Sequence, residues 1–111
     1  MLDGIYQVFF SSSGNTAEGI AVISGGTLNG GGQGYFYQGK LRVEGACLDG
    51  RLLVKKWDNE APPALGLFKE AALTVTGEYD HESNTFRFEG RVHGHHVITI
   101  QATGRYVAAL I

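Results

Sequence analysis

The densest cluster of chemistry-bearing side chains is His93-Gly94-His95-His96. Neutral imidazole ligates metals, and on a regular strand His93 and His95 would share a face. A metal site needs roughly three or four convergent ligands, and the sequence places no third one nearby. Gly94 also makes the segment read as a turn. His81 falls in a second polar turn, read here as lying at the same end of the fold. The expectation is solvated turn histidines and no metal. Cys47 is the only cysteine, so neither an internal disulfide nor a thiolate cluster is available within one chain.

Other arrangements fall short of chemistry in the same way. Gly30-Gly31-Gly32-Gln33-Gly34 has the glycine density of a phosphate loop. No helix follows it and the Gly-Lys-Ser/Thr ending is absent, so a loose rim loop is expected. Asp3, Glu18, Glu44, Asp49, Glu78 and Asp80 mostly fall at predicted strand ends, with nothing to pair two of them in one cleft. Ser11-Ser12-Ser13 is a polar loop without a glycine-flanked nucleophile elbow. No catalytic residue and no cofactor are assigned, and the chain reads as a binding protein rather than an enzyme.

The elements that position these residues are strands. Glycine occurs 17 times against 2 prolines, and it punctuates alternating segments at short intervals. Strands are predicted over 4–11, 18–24, 27–29, 35–44, 51–57, 71–79, 85–92 and 96–105. Gly25-Gly26 and Asp49-Gly50 carry two-residue hairpin signals. The segment 59–66 is expected to be a loop with a short helical turn, because an Asp/Asn cap precedes Pro62 and Pro63. Eight strands of ~9 residues and seven connections of ~4 account for the length. The reading is a single domain over 1–111, an all-β, eight-stranded antiparallel up-and-down barrel, with a sandwich as the competitor.

Composition narrows the partners. Net charge is −2 and Lys55-Lys56 is the only adjacent basic pair, so no basic stripe points to nucleic acid. No apolar run approaches the ~20 residues of a membrane span, and the N-terminus shows no signal-peptide pattern. A soluble, cytoplasmic protein is expected.

Tyr6, Val8, Tyr37, Leu41, Val43, Val75, Phe86, Phe88, Ile98 and Ile100 are predicted to point inward. A filled core is the norm. The alternative is a pocket for a small hydrophobic ligand, lined by Tyr6, Tyr37, Leu41, Phe86, Phe88 and Ile98. A buried Tyr37 phenol would need a partner there. The first strand, Asp3-Gly4-Ile5-Tyr6-Gln7-Val8-Phe9-Phe10, is apolar on both faces, which a strand with one wet side does not require.

Asp3-Gly4-Ile5-Tyr6, Glu18-Gly19-Ile20, Gly31-Gly32 and Tyr37-Gln38-Gly39 occur in an order and spacing that resemble the GrlR family. The segment Asn59-Glu60-Ala61-Pro62-Pro63-Ala64-Leu65 resembles a Glu-x-Pro loop of the same family. The similarity covers nearly the whole chain. It implies a calycin-like (lipocalin-like) eight-stranded barrel that dimerises. It also implies negative regulation of type III secretion, by sequestering a transcriptional activator. A homodimer would cover the outer face of the first strand through Ile5 and Phe9. The other readings are that these side chains face water or that the apolar tail packs across them. The family carries an acidic run after the Tyr-Gln-Gly strand, whereas this chain has Glu44-Gly45-Ala46-Cys47-Leu48-Asp49. The resemblance therefore points to Glu44, Cys47 and Asp49 as partner contacts, with fewer carboxylates to steer a basic activator.

Overall fold

Alternating burial divides the chain into strands whose even or odd positions face one interior. The computed structural model describes residues 1–60 and 69–111, with His96 and Val97 described by backbone alone. The strands are β1 (Gly4–Ser12), β2 (Asn15–Ser24), β3 (Thr27–Gly32), β4 (Tyr35–Glu44), β5 (Cys47–Lys56), β6 (Glu70–Asp80), β7 (Thr85–Val92) and β8 (His95–Ala108). Each pairs antiparallel with the next, and β8 pairs back onto β1, closing the barrel. Closure gives each of the eight described strands a neighbour on both sides, which removes the open edge that invites pairing with another chain. Among the described residues there is no helix.

The β4–β5 turn corrects one expectation. It lies at Gly45-Ala46, with Gly45 at φ 63°, and Asp49-Gly50 sits inside β5 opposite Leu41 and Arg42. Residues paired across two strands share a face. A turn at 49–50 would pair Leu48 with Arg51 and force one of them onto the wrong side. The observed register pairs Leu48 with Val43 and Val54 with Tyr37, so apolar meets apolar. The hairpin propensity of Asp-Gly loses to the burial of Leu48 and Leu52.

The glycine run is a second correction. Gly30, Gly31 and Gly32 belong to β3 rather than to a rim loop, and only Gln33-Gly34 turns. A Cβ at Gly30 would overlap the carbonyl oxygen of Ile20, and one at Gly32 would overlap that of Glu18. Glycine is what lets β2 and β3 approach each other here. The helical turn expected over 59–66 lies outside the described residues from Ala61 onward. Asn59 and Glu60 form a turn in which the Glu60 amide donates to Asp58 Oδ1 at 3.0 Å.

The interior is aromatic. Tyr6, Val8, Tyr37, Leu41, Val75, Phe86, Phe88 and Ile100 are buried, with Val43 and Ile98 half-buried against them. Phe86 and Phe88 lie near-parallel with centroids 5.8 Å apart, and Phe10 packs on Tyr37 at 4.9 Å. Rings of this size fit because glycines face them. A Cβ on Gly104 would enter the Phe86 ring, and one on Gly19 would meet the Tyr37 hydroxyl.

Two substitutions test this packing by urea unfolding. Phe86→Ala should cost about 3–5 kcal/mol through the cavity it leaves. Gly104→Ala should cost about 1–3 kcal/mol by overpacking. Combining Gly104→Ala with Phe86→Leu should cost less than the sum of the two single changes, because the smaller side chain vacates the space.

Candidate functional site

Three surfaces are candidates: one rim of the barrel, the outer wall of β1 and β2, and the interior. The rim carries the turn that joins β4 to β5. His81, from the β6–β7 turn, places its Nε2 2.7 Å from the Gly45 carbonyl oxygen. The Tyr79 amide donates to the Ala46 carbonyl at 2.8 Å. The two turns are thereby clamped side by side. Cys47 pairs with Glu44 on one side and with Glu78 on the other, so an exposed thiol lies between two carboxylates. Asp80 and Glu82 extend the acidic surface from the clamped turn. Asp80 Oδ1 accepts from the Glu82 amide at 2.9 Å and from the Ser83 amide at 3.4 Å. These bonds, the one from Glu82 first, hold its carboxyl below the usual range.

The predicted partner residues separate on this rim. Glu44 and Cys47 are exposed, whereas Asp49 is half-buried and its carboxylate is bound by Arg42 at 3.1 Å. Asp49 therefore presents a matched pair. Glu78 has Arg87 at 3.5 Å, a surface contact of little energetic weight. By sequence Glu78 and Asp80 are isolated strand-end acids and Glu82 is one residue of a polar turn. The pairing of β5 with β6 brings Glu78 across Cys47 from Glu44, and the His81–Gly45 contact brings the turn that carries Asp80 and Glu82 to the same rim.

On the outer wall, Ile5 pairs with Val22 and Gln7 with Ile20. Phe9 is 41% exposed and Ile20 46%, and Val22 and Val107 are also exposed, while Ile5 is half-buried. The chain's end does not cover this stripe. Ala108 completes β8 opposite Ile5, and Tyr106 turns inward against Gly4. Leu110 and Ile111 remain exposed.

Inside, the rim end is held by a phenol pair. Tyr6 OH lies 2.9 Å from Tyr79 OH and donates to the Leu2 carbonyl at 2.6 Å. Tyr79 OH accepts from the Leu2 amide at 3.2 Å and lies 3.0 Å from Asn84 Oδ1. Burial, then the bond to Tyr79, pushes the Tyr6 phenol upward. Tyr35 and Tyr37 differ: both hydroxyls are buried with no hydrogen-bond partner among the described residues. Burial alone pushes Tyr37 up to about 12.

The sequence model of the GrlR family, described as a T3SS negative regulator, matches residues 1–110. The chain belongs to the GrlR family. Comparison with curated proteins finds no match. A GrlR chain is thus a negative regulator of type III secretion.

The histidines of this GrlR chain fall at two places, His81 in the β6–β7 turn and His93, His95 and His96 at the β7–β8 turn. His81 and the His93-Gly94 turn lie at opposite ends of the barrel, because consecutive turns of an up-and-down barrel alternate ends. This corrects the placement at one end. His93 Nε2 lies 2.6 Å from Thr74 Oγ1. Among the described residues no three His, Cys, Asp or Glu side chains converge to hold a metal ion.

Two conservative changes separate the tyrosines. Tyr79→Phe breaks the phenol pair and should cost about 1–2 kcal/mol by thermal or urea unfolding. Tyr37→Phe removes a hydroxyl without a partner among the described residues and should cost nothing, or stabilise by up to about 1 kcal/mol. The raised folded pKa of Tyr37 also sets a pH window. Below pH 10 the phenol is neutral in both states and its contribution is complete. Between about pH 10 and 12 the unfolded chain ionises first, so stability falls as pH rises. In Tyr37→Phe that decline should be shallower.

Proposed function

We propose that this GrlR chain is a non-catalytic cytoplasmic regulator that works as a homodimer and sequesters a basic transcriptional activator on its acidic rim. The carrying observation is the rim itself: Glu44 and Glu78 flank Cys47, and the His81–Gly45 contact holds Asp80 and Glu82 beside them. The single-loop acidic run expected of the family is thin here, with Glu44 and Asp49 alone in 44–49. A second turn supplies the missing charge in space. Clustered carboxylates steer a basic partner and select against acidic ones. The homodimer is supported by the apolar stripe of Ile5, Phe9, Ile20 and Val22, which water would otherwise cover.

Both parts are testable with folded protein. Reversing Glu44, Asp80 and Glu82 to Lys should restore transcription from a type III secretion reporter that the wild-type chain represses, with an unchanged circular dichroism spectrum. Full repression by that variant would remove the rim from the mechanism. Phe9→Glu with Ile20→Glu should lower the light-scattering mass from two chains to one, each of 11.9 kDa. A monomeric wild-type protein at micromolar concentration would reject the dimer.

A second reading has one observation in its favour. The unpartnered hydroxyls of Tyr35 and Tyr37 would be satisfied by a polar group on a small hydrophobic ligand within the barrel. Native mass spectrometry of gently purified protein after lipid exposure tests it. A clean apo mass contradicts that reading.

A further inference from the structure

The outer wall of β4 and β5 holds a charge arrangement that neither folding nor the acidic rim explains. Lys40 and Arg51 are directly opposite in the β4–β5 register, and both are exposed. Like charges in that position destabilise a sheet. Their lateral neighbours are neutral: Thr27 pairs with Lys40 from β3, and Thr74 pairs with Arg51 from β6. A groove of about 900 Å³ runs over this wall, and its only carboxylate is Asp49, already bound to Arg42 at 3.1 Å. Among the described residues no ion pair includes Lys40 or Arg51. Beside the two cations the groove is lined by Leu53 and Ala72, so a charged spot adjoins a small apolar shelf.

We propose that this groove binds a small organic phosphate, its dianion bridging Lys40 and Arg51 and its neutral body resting on Leu53 and Ala72. A dianion is the charge that cancels two facing cations. The tetrahedral group offers separate oxygens to the Arg51 fork and to the Lys40 point charge. The site lies outside the acidic rim and does not depend on what that rim holds.

Amide chemical shifts of the full chain, followed during titration at low salt and neutral pH with phenyl phosphate, a dianion with a neutral apolar body, test the site. The expected result is a saturable, one-to-one response centred on Lys40 and Arg51. Lys40→Glu should weaken binding by about tenfold or more. The same substitution should raise the melting temperature, because it turns a facing like-charge pair into an ion pair. Lys55→Glu changes net charge equally but lies outside the groove, and it should leave affinity within about twofold, a difference of only tenths of a kcal/mol. Arg51→Gln gives a second binding readout without a new charge. Parallel titration with succinate separates phosphate recognition from attraction of any dianion, and equal affinity for both would overturn the phosphate assignment. Shifts spread over the whole chain, a Lys55→Glu loss equal to that of Lys40→Glu, or no saturation would overturn the site.

Discussion

The barrel depends on aromatic rings seated against glycine. Eight strands enclose a narrow interior, which fills with its own side chains or leaves room for one small ligand. This chain places Tyr6, Tyr37, Tyr79, Phe86 and Phe88 in that space. They fit because the strand opposite withdraws its side chain: Gly104 under Phe86, Gly19 beneath the Tyr37 hydroxyl, Gly4 against Tyr106. Much of the high glycine content is therefore a packing device rather than a supply of loops.

The outer surface follows from the same constraint. Once Leu48, Leu52 and Val54 must face the rings, alternation sends Cys47, Asp49, Arg51 and Leu53 outward. That puts Cys47 between Glu44 and Glu78, and Arg51 opposite Lys40. The acidic rim and the basic groove are two readouts of one register. The rim is held further by the Tyr6–Tyr79 phenol pair, which ties Leu2 and Asn84 to the same end of the barrel. A structural network thus fixes the acidic surface proposed as the partner contact, in a chain of the GrlR family of T3SS negative regulators.

Strand number and barrel closure were legible because alternation is strong in β6 and β7, where Ala71, Leu73, Val75 and Tyr79, then Phe86, Phe88, Gly90 and Val92, are buried. Local signals failed where tertiary burial competed with them. Asp49-Gly50 looks like a turn, yet Leu48 cannot share a face with Arg51. Gly30–Gly32 looks like a loop, yet two strands need that close approach. The rim was illegible for a different reason. Glu44 and Asp80 lie 36 residues apart in the chain, and nothing in either local sequence announces that His81 will reach Gly45. Glu82 carried no signal at all. Sequence placed Tyr37 inside with a phenol in need of a partner but carried no such signal for Tyr35, and what either oxygen meets is set by tertiary packing.

The seating of rings on glycine is most directly tested by nuclear Overhauser contacts in solution. The account predicts strong contacts from the Gly104 α-protons to the Phe86 ring and from the Gly19 α-protons to the Tyr37 ring. It also predicts cross-strand contacts between Val8 and Gly104, which report closure of β1 on β8. Phe86 ring protons that contact only water, or an absent β1–β8 contact, would contradict the packing and every surface assigned from its register.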